Sequence, residues 1–402
     1  MGVVSPCGHD LDTLFSNLSA ARSGVSRMTG ADGSADLNLV AAQVSNLQSP
    51  RTSDRQFQQL DRATQFALVA ADQAIADAAL ILDEATSLGA GVYWGTGLGG
   101  ANSIEEGYRA IFATERKRLR PTSVVLAMSN AAAAHVSIAH RLRGPQLNIS
   151  TACSSSASAI GEAYRAISHG YADVIVTGGS EALLTFGNLS AWLALQALAK
   201  TDTNEPSRTC KPFAADRTGL VLGEGAAVLV LESADHAARR GARVHATVSG
   251  YGNAGDGINM SRPDANGQVR AMRQALDDAG LAPDAIGYIN AHGTATPIGD
   301  VVESSAIRQV FGAHVTDLCV SSTKAVHGHL LGGAGALETV VAALALKHGV
   351  VPPTAHLDHP DPQCDLDYVA GAARRVPLRA VMSNSFGFGG MNAVLILESC
   401  DA

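Results

Sequence analysis

The stretch Leu147-Asn148-Ile149-Ser150-Thr151-Ala152-Cys153-Ser154-Ser155-Ser156 decides how the rest of the chain is read. The short apolar/polar alternation at its start reads as a strand. Beyond it, Ala159, Ile160, Ala163 and Ile167 recur at helical spacing. Cys153 therefore stands on a strand-to-helix corner, with its sulfur at a helix N-terminus. The orphan N–H groups and the positive dipole end there stabilise a thiolate. That makes Cys153 a candidate nucleophile. A small, buried, apolar side chain is the other reading of a free cysteine. Ser154, Ser155 and Ser156 read as caps of the helix.

Working outward, strand-like runs recur at 91–94, 174–176, 226–231, 246–248, 286–289, 318–321, 380–383 and 393–397, with helical patterns between many of them. An Ala-rich helical pattern covers 59–83, and 30–56 is polar and reads as a surface loop. Alternation of this kind argues for α/β layers. A charged stretch at 232–243 marks the join of two halves, 1–235 and 236–402. A weak internal echo fits that division. The helical segment after Cys153 ends in His169-Gly170, and the one after Lys324 ends in His348-Gly349. Duplicated α/β units sharing one site would produce this pattern, and so would chance.

Composition narrows the class. The 402 residues exceed one ordinary domain, so two are expected. Hydrophobic residues at 46% against 16% charged supply a large core and exclude disorder. The formal charge of −8, with no basic tail, makes nucleic acid a poor partner. Six cysteines are scattered without a CxxC pair, so neither a disulfide framework nor a zinc site is expected, and a reducing cytoplasm fits. No run has the length of a membrane span, and the N-terminus is not a signal peptide.

Two histidine segments add to the corner cysteine. Ile289-Asn290-Ala291-His292-Gly293-Thr294-Ala295-Thr296 places a histidine just past a strand. Ser321-Ser322-Thr323-Lys324-Ala325-Val326-His327-Gly328-His329 places a lysine and two histidines past another. Loops at strand ends are where α/β sheets assemble sites. Taken singly, each histidine reads as a surface or satisfied core residue; with Cys153 they form a convergent set. His327 and His329, with His356 and His359, could also be metal ligands, but no acidic or cysteine ligand falls at a familiar spacing, so no metal is expected. Gly95-Thr96-Gly97-Leu98-Gly99-Gly100 fits a dinucleotide fingerprint, yet no acidic residue follows on a second strand, and a tight turn is the better reading.

These segments resemble a known family. TACSSS around Cys153, NAHGTATPIGD around His292, STKAVHGH around Lys324 and His329, and SNSFGFGGMN around Phe388 are similar to the elongating β-ketoacyl-[acyl-carrier-protein] synthases and their type II polyketide relatives. PFAADRTGLVLGEGA at 212–226 resembles a segment from the middle of those enzymes, and the resemblance spans nearly the whole chain. It implies a thiolase-like fold: two βαβαβαββ halves in five layers, α-β-α-β-α, paired as a homodimer. Family members have a strand before Gly2-Val3-Val4-Ser5-Pro6-Cys7-Gly8, whereas this chain opens directly on that segment. Either the first core strand is absent or translation starts further upstream, and the packing lost with a strand favours the second.

The reaction implied is a decarboxylating Claisen condensation on substrates borne by the phosphopantetheine of acyl carrier protein, without another cofactor. Cys153 is the implied nucleophile. The backbone N–H groups of Cys153 and Phe388 are the implied oxyanion donors, and Phe388 also matches the gate between acyl and malonyl sites. His292 and His329 would stabilise the enolate, Lys324 would keep a neighbouring histidine neutral or oriented, and Glu338 would balance Lys324. Thr294 and Thr296 match the hydroxyls that grip the pantetheine arm. Arg55, Arg62 and Lys200 lie in segments resembling the carrier-docking face. One departure is His327, where the family commonly has threonine.

Rivals differ at single positions. A thiolase needs a second cysteine in the loop Phe386-Gly387-Phe388-Gly389-Gly390-Met391, which has none. An initiating synthase would carry asparagine at His329. A non-catalytic chain-length factor lacks the nucleophile, although a heterodimer with such a factor stays open. Acyl chain length, and fatty-acid elongation against a polyketide or aryl polyene pathway, are not separated by sequence.

Overall fold

The computed structural model describes residues 1–28, 37–113 and 118–400. Strands β1 (Gly2–Val4), β2 (Val25–Arg27), β3 (Val40–Ala42), β4 (Gly91–Gly95), β5 (Gln146–Ile149), β6 (Val174–Glu181) and β7 (Gly225–Glu232) come from the first part of the chain. The second part supplies β8 (Thr247–Gly255), β9 (Ile286–Asn290), β10 (Cys319–Ser321), β11 (Val350–Val351), β12 (Arg374–Arg375), β13 (Ala380–Gly387) and β14 (Met391–Glu398). Two five-stranded sheets result, ordered β1-β7-β6-β4-β5 and β10-β9-β13-β14-β8.

The two orders are the same once the second is read from its other end. β1, β7, β6, β4 and β5 then correspond to β8, β14, β13, β9 and β10. Orientation repeats as well: the first three strands of each series are antiparallel and the last two pairings are parallel. The sequence echo is thus a repeat of topology. The helix Ser155–Ser168 follows β5, and Ala334–His348 follows its counterpart β10.

Both helices pack on strands of both sheets, so they form the middle layer. That explains their composition. Every residue from Ala334 to Leu346 is buried, as a helix covered on all sides requires. In the other helix Gly161 sits where a Cβ would lie 2.3 Å from the Tyr251 ring of β8. Only a missing side chain permits that approach. Outside the first sheet lie Arg62–Asp77 and Ala131–His140; outside the second lie Ala265–Ala279 and Gly299–Phe311. The layers are therefore α-β-α-β-α.

Two expectations need correction, while the first residues of the chain join the sheet: Gly2–Val4 is a short strand, antiparallel to Ala226, Ala227 and Val228. The 30–56 segment is not one loop. Val40–Ala42 pairs with Val25–Arg27, and Pro50–Ser53 and Arg55–Gln58 are helical turns, while residues 29–36 lie outside the described residues. Ser154–Ser156 do not cap the helix. Ser155 Oγ accepts from Thr151 N–H at 2.9 Å, and Ser156 Oγ accepts from Ala336 N–H at 2.9 Å. Ser154 Oγ lies 2.8 Å from the Met391 carbonyl. These hydroxyls tie the corner to β14 and to the other central helix.

Candidate active site

At the corner after β5, Ala152 takes a left-handed φ of +53° and a short 3-10 turn, Ala152–Ser154, leads into the helix. This sharp turn aims Cys153 toward the second half of the molecule. The loop after β9 brings His292 to it, and the loop after β10 brings Lys324 and His329. The Cys153 sulfur and one ring nitrogen from each of His292 and His329 lie within 4.8 Å of one another. The two rings meet edge to face, with centroids 5.3 Å apart. Three loops from both sheets thus converge on one point.

Each histidine is held by its backbone and by Nδ1. The N–H groups of His292 and Gly293 donate to the two carboxylate oxygens of buried Glu303, at 2.8 and 2.7 Å, and Asn384 donates to the same carboxylate at 3.2 Å. His292 Nδ1 faces the Lys324 ammonium at 3.5 Å. His329 N–H donates to the Val221 carbonyl at 2.7 Å, and His329 Nδ1 accepts from Leu331 N–H at 3.3 Å. An ammonium and an amide are donors only, so both Nδ1 atoms accept. Each ring proton then sits on Nε2. His329 Nε2 is buried without a partner among the described residues.

Electrostatics keeps these rings neutral. Burial, and then the nearby Lys324 charge, hold His292 and His329 well below the usual imidazole range. Lys324 is fully buried and paired with the equally buried Glu338, whose second oxygen has no partner among the described residues. Burial pushes Glu338 up to about 7 against the pull of that ammonium. The expected resting thiolate is corrected. Burial pushes the Cys153 thiol up to about 11, outweighing Lys324 and the Phe388 N–H that hydrogen-bonds the sulfur. Burial thus opposes the ionised form that the helix N-terminus favours.

The same N–H places Phe388 beside Cys153 as expected. Its ring packs on Trp192, centroids 5.9 Å apart, and Gly389 and Gly390 take φ of +80° and +68° to complete the turn between β13 and β14. A cavity of about 620 Å³ reaches the set and is lined by Cys153, His292, His329, Phe388, Trp192 and Arg262 among others. Thr294 and Thr296 line it too, their hydroxyls 3.1 Å apart.

Other expected residues fall elsewhere. Arg62 is committed inward, to Glu224 at 2.6 Å and to the Val44 carbonyl at 2.7 Å, so it is not a free docking cation. Arg55 and Lys200 are exposed and do not line the cavity. His327 is buried with both nitrogens engaged. His356 and His359 join no cluster of metal-ligating groups among the described residues. Cys153, His292 and His329 could themselves grip a cation, but that needs unprotonated Nε2 atoms, which the two accepting Nδ1 positions disfavour. The glycine loop after β4 is a tight turn whose amides are already taken. Glu181, buried at the end of β6, accepts from Gly97 N–H at 2.5 Å, Leu98 N–H at 3.2 Å and Gly332 N–H at 3.1 Å. Glu181 and Glu303 were missed by the sequence reading. The only trace of Glu303 was its place on the helix following His292.

Comparison with known proteins agrees with this geometry. The family model described as "Beta-ketoacyl synthase, N-terminal domain" matches residues 1–237, and "Beta-ketoacyl synthase, C-terminal domain" matches residues 245–358. The "3-oxoacyl-[acyl-carrier-protein] synthase 2" of Coxiella burnetii (strain RSA 493 / Nine Mile phase I) is 41% identical, covering 99% of this chain and 97% of the relative. The solved structure titled "The ishigamide ketosynthase/chain length factor" superposes with a TM-score of 0.90 at 32% identity, over 99% of this chain and 97% of that one. A type II PKS ketosynthase solved in complex with its acyl-carrier protein, AntDE:AntF, superposes with a TM-score of 0.86 at 30% identity, over 100% and 98%. A full-length match of this kind, on a thiolase-like fold with the cysteine and both histidines converging, establishes that the chain belongs to the β-ketoacyl synthase family.

Proposed function

We propose that the protein condenses a Cys153-bound acyl group with malonyl-acyl carrier protein, giving 3-oxoacyl-acyl carrier protein and CO₂ in fatty-acid biosynthesis. One observation carries the reading: a cysteine sulfur within 4.8 Å of two buried imidazoles whose Nδ1 contacts leave Nε2–H as the donor.

In the first step the Cys153 sulfur attacks the acyl thioester and the carrier's sulfur leaves. The thiol's proton ends on that sulfur, so the transfer is proton-neutral. The backbone N–H groups of Phe388 and Cys153 hold the oxyanion as it forms. Next, the malonyl carboxylate departs as CO₂, and its electron pair passes through carbon to the thioester oxygen. The Nε2–H groups of His292 and His329 stabilise that enolate. Neutral rings suit this step, because they donate without releasing a proton. Finally the enolate carbon attacks the acyl carbonyl, Cys153 leaves as thiolate, and one proton taken from solvent restores the thiol. Thr294 and Thr296 would grip the pantetheine arm in the cavity they line. No metal or further cofactor enters this scheme.

The partners are acyl carrier protein and a second subunit. β5 is an edge strand, and Ile104, Tyr108 and Phe112 are exposed at successive turns of the helix Ala101–Phe112. Val124 and Val125 are exposed on the short helix packed against it. A homodimer would cover such a face, and so would a chain-length factor, the partner named for the ishigamide structure. A polyketide ketosynthase is therefore the second reading. Among the described residues no helix is long and apolar enough to cross a membrane, and all six cysteines are unpaired, which fits the cytoplasm.

The test is incubation with malonyl-carrier and a ladder of acyl-carriers, with products read by mass. Wild type should gain the acyl mass on Cys153 and Cys153→Ala should not. Cys153→Gln should still release CO₂ without condensing. An equal mass shift on Cys153→Ala would refute the assignment.

A further inference from the structure

His327 takes no part in the chemistry above, yet it is fully buried between the residues that do. Its Nδ1 lies 2.7 Å from the Gly328 carbonyl. A carbonyl only accepts, so Nδ1 carries the proton and Nε2 accepts, from Thr323 Oγ1 at 3.0 Å. Thr323 Oγ1 lies 3.4 Å from Asn290 Nδ2, at the end of the strand that leads to His292. The ring therefore spans the short helix Lys324–His327 from one side to the other.

The Gly328 carbonyl and the His329 N–H belong to one peptide plane. Its oxygen is held by His327, and its N–H donates to the Val221 carbonyl at 2.7 Å. Gly328 itself takes φ +67° and ψ −171°, a region that glycine alone enters readily, so no side chain of its own fixes that plane. We propose that His327 is a positioning residue: it pins the Gly328–His329 peptide and so fixes the direction in which His329 Nε2–H points. Burial and the Lys324 charge keep the ring neutral, as its accepting Nε2 requires.

The inference rests on the condensing reading, and its test separates the two. Asparagine can replace the Nδ1–H bond to Gly328, whereas glutamine can replace only the Nε2 bond to Thr323. His327→Ala, His327→Asn and His327→Gln would be assayed for acyl loading of Cys153 and, separately, for CO₂ release from malonyl-carrier. His327→Ala and His327→Gln should release CO₂ about 10- to 100-fold more slowly, the scale of a misplaced catalytic group. Loading should stay within about threefold of wild type, and His327→Asn should recover most of the release rate. Loading and release falling together, rescue by glutamine rather than asparagine, or unchanged release would each overturn the proposal. If His327→Ala does not fold, the asparagine and glutamine variants decide. A wild type that releases no CO₂ would instead remove the functional reading.

Discussion

Replacing Lys324 by methionine strands Glu338 in a dry core, and the consequence can be followed through pH. Glu338 is fully buried, and among the described residues Lys324 is its one hydrogen-bond partner. In the wild type the carboxyl is pushed from its usual 4.5 up to about 7. Without the ammonium nothing pulls it back, and its folded pKa rises further. A carboxyl with a raised pKa keeps its proton when folded and loses it when unfolded. The unfolded state then binds fewer protons, so stability falls as pH rises, by about 1.4 kcal/mol per unit. For the wild type this slope ends near pH 7, where Glu338 ionises; for Lys324→Met it continues upward. The stability gap between the two should therefore grow as pH rises above 7, by up to about 2 kcal/mol at pH 9.

The assay is urea unfolding of both proteins at pH 6, 7, 8 and 9. Glu303 also feels the Lys324 charge, and its response is common to Lys324→Met and to the control described next. The histidines near Lys324 stay neutral in this range, and Cys153 loses a favourable charge, which moves it further from titration. The control is Lys324→Met with Glu338→Leu, which removes the carboxyl. Its gap should change less with pH than that of Lys324→Met and be small, because an apolar pair of similar volume can match a buried ion pair, whereas breaking one partner costs about 3–5 kcal/mol. A gap for Lys324→Met that stays constant from pH 7 to 9 would refute the assigned pairing.

Two further outcomes follow from the same structure. Because burial pushes the Cys153 thiol up to about 11, its alkylation by iodoacetamide, followed by peptide mass, should rise about tenfold per pH unit from 7 to 9; a plateau below pH 8 would show a sulfur already ionised. Gly161→Ala should cost about 1–3 kcal/mol by overpacking, since the new Cβ meets a Tyr251 ring also held by Arg165 at 4.4 Å and by Asn253; an unchanged melting temperature would argue against the close packing of the central helix.

Much of this molecule was readable because its signals are local. The corner at Cys153 combines a strand alternation with a helical period, and both survive folding. The His-Gly endings at 169–170 and 348–349 fall at the ends of the two equivalent central helices, Ser155–Ser168 and Ala334–His348. What was illegible depends on partners distant in the chain. Glu181 and Glu303 bind backbone amides, which any residue supplies, so no spacing betrays them. Arg62 looked like a surface cation because its partner Glu224 arrives from a distant segment. The Cys153 thiol was misjudged for a related reason. A helix N-terminus is visible in sequence, but the burial that opposes it comes from residues distant in the chain, such as Leu39, Leu220 and Leu331. The strand at Val40–Ala42 was hidden in polar surroundings and exists through pairing with Val25–Arg27 and a bond from Ala42 N–H to the Leu222 carbonyl.

The placement of charge explains why a duplicated fold yields one asymmetric site. β4 and β9 are equivalent strands, and the loop after each presents backbone amides to an internal carboxylate, Glu181 in one half and Glu303 in the other. Those amides are spent on fixing loops. The donors left to face Cys153 are the Phe388 N–H and the imidazole Nε2–H groups. The corners after β5 and β10 are equivalent too, but one carries a neutral thiol and the other a lysine whose charge is balanced by Glu338. The site thus holds hydrogen-bond donors without an excess of mobile protons. On the proposed mechanism, an enolate formed there would meet groups that stabilise its oxygen through N–H bonds, while its carbon, which a freely available acid would protonate, would be left to attack the acyl thioester.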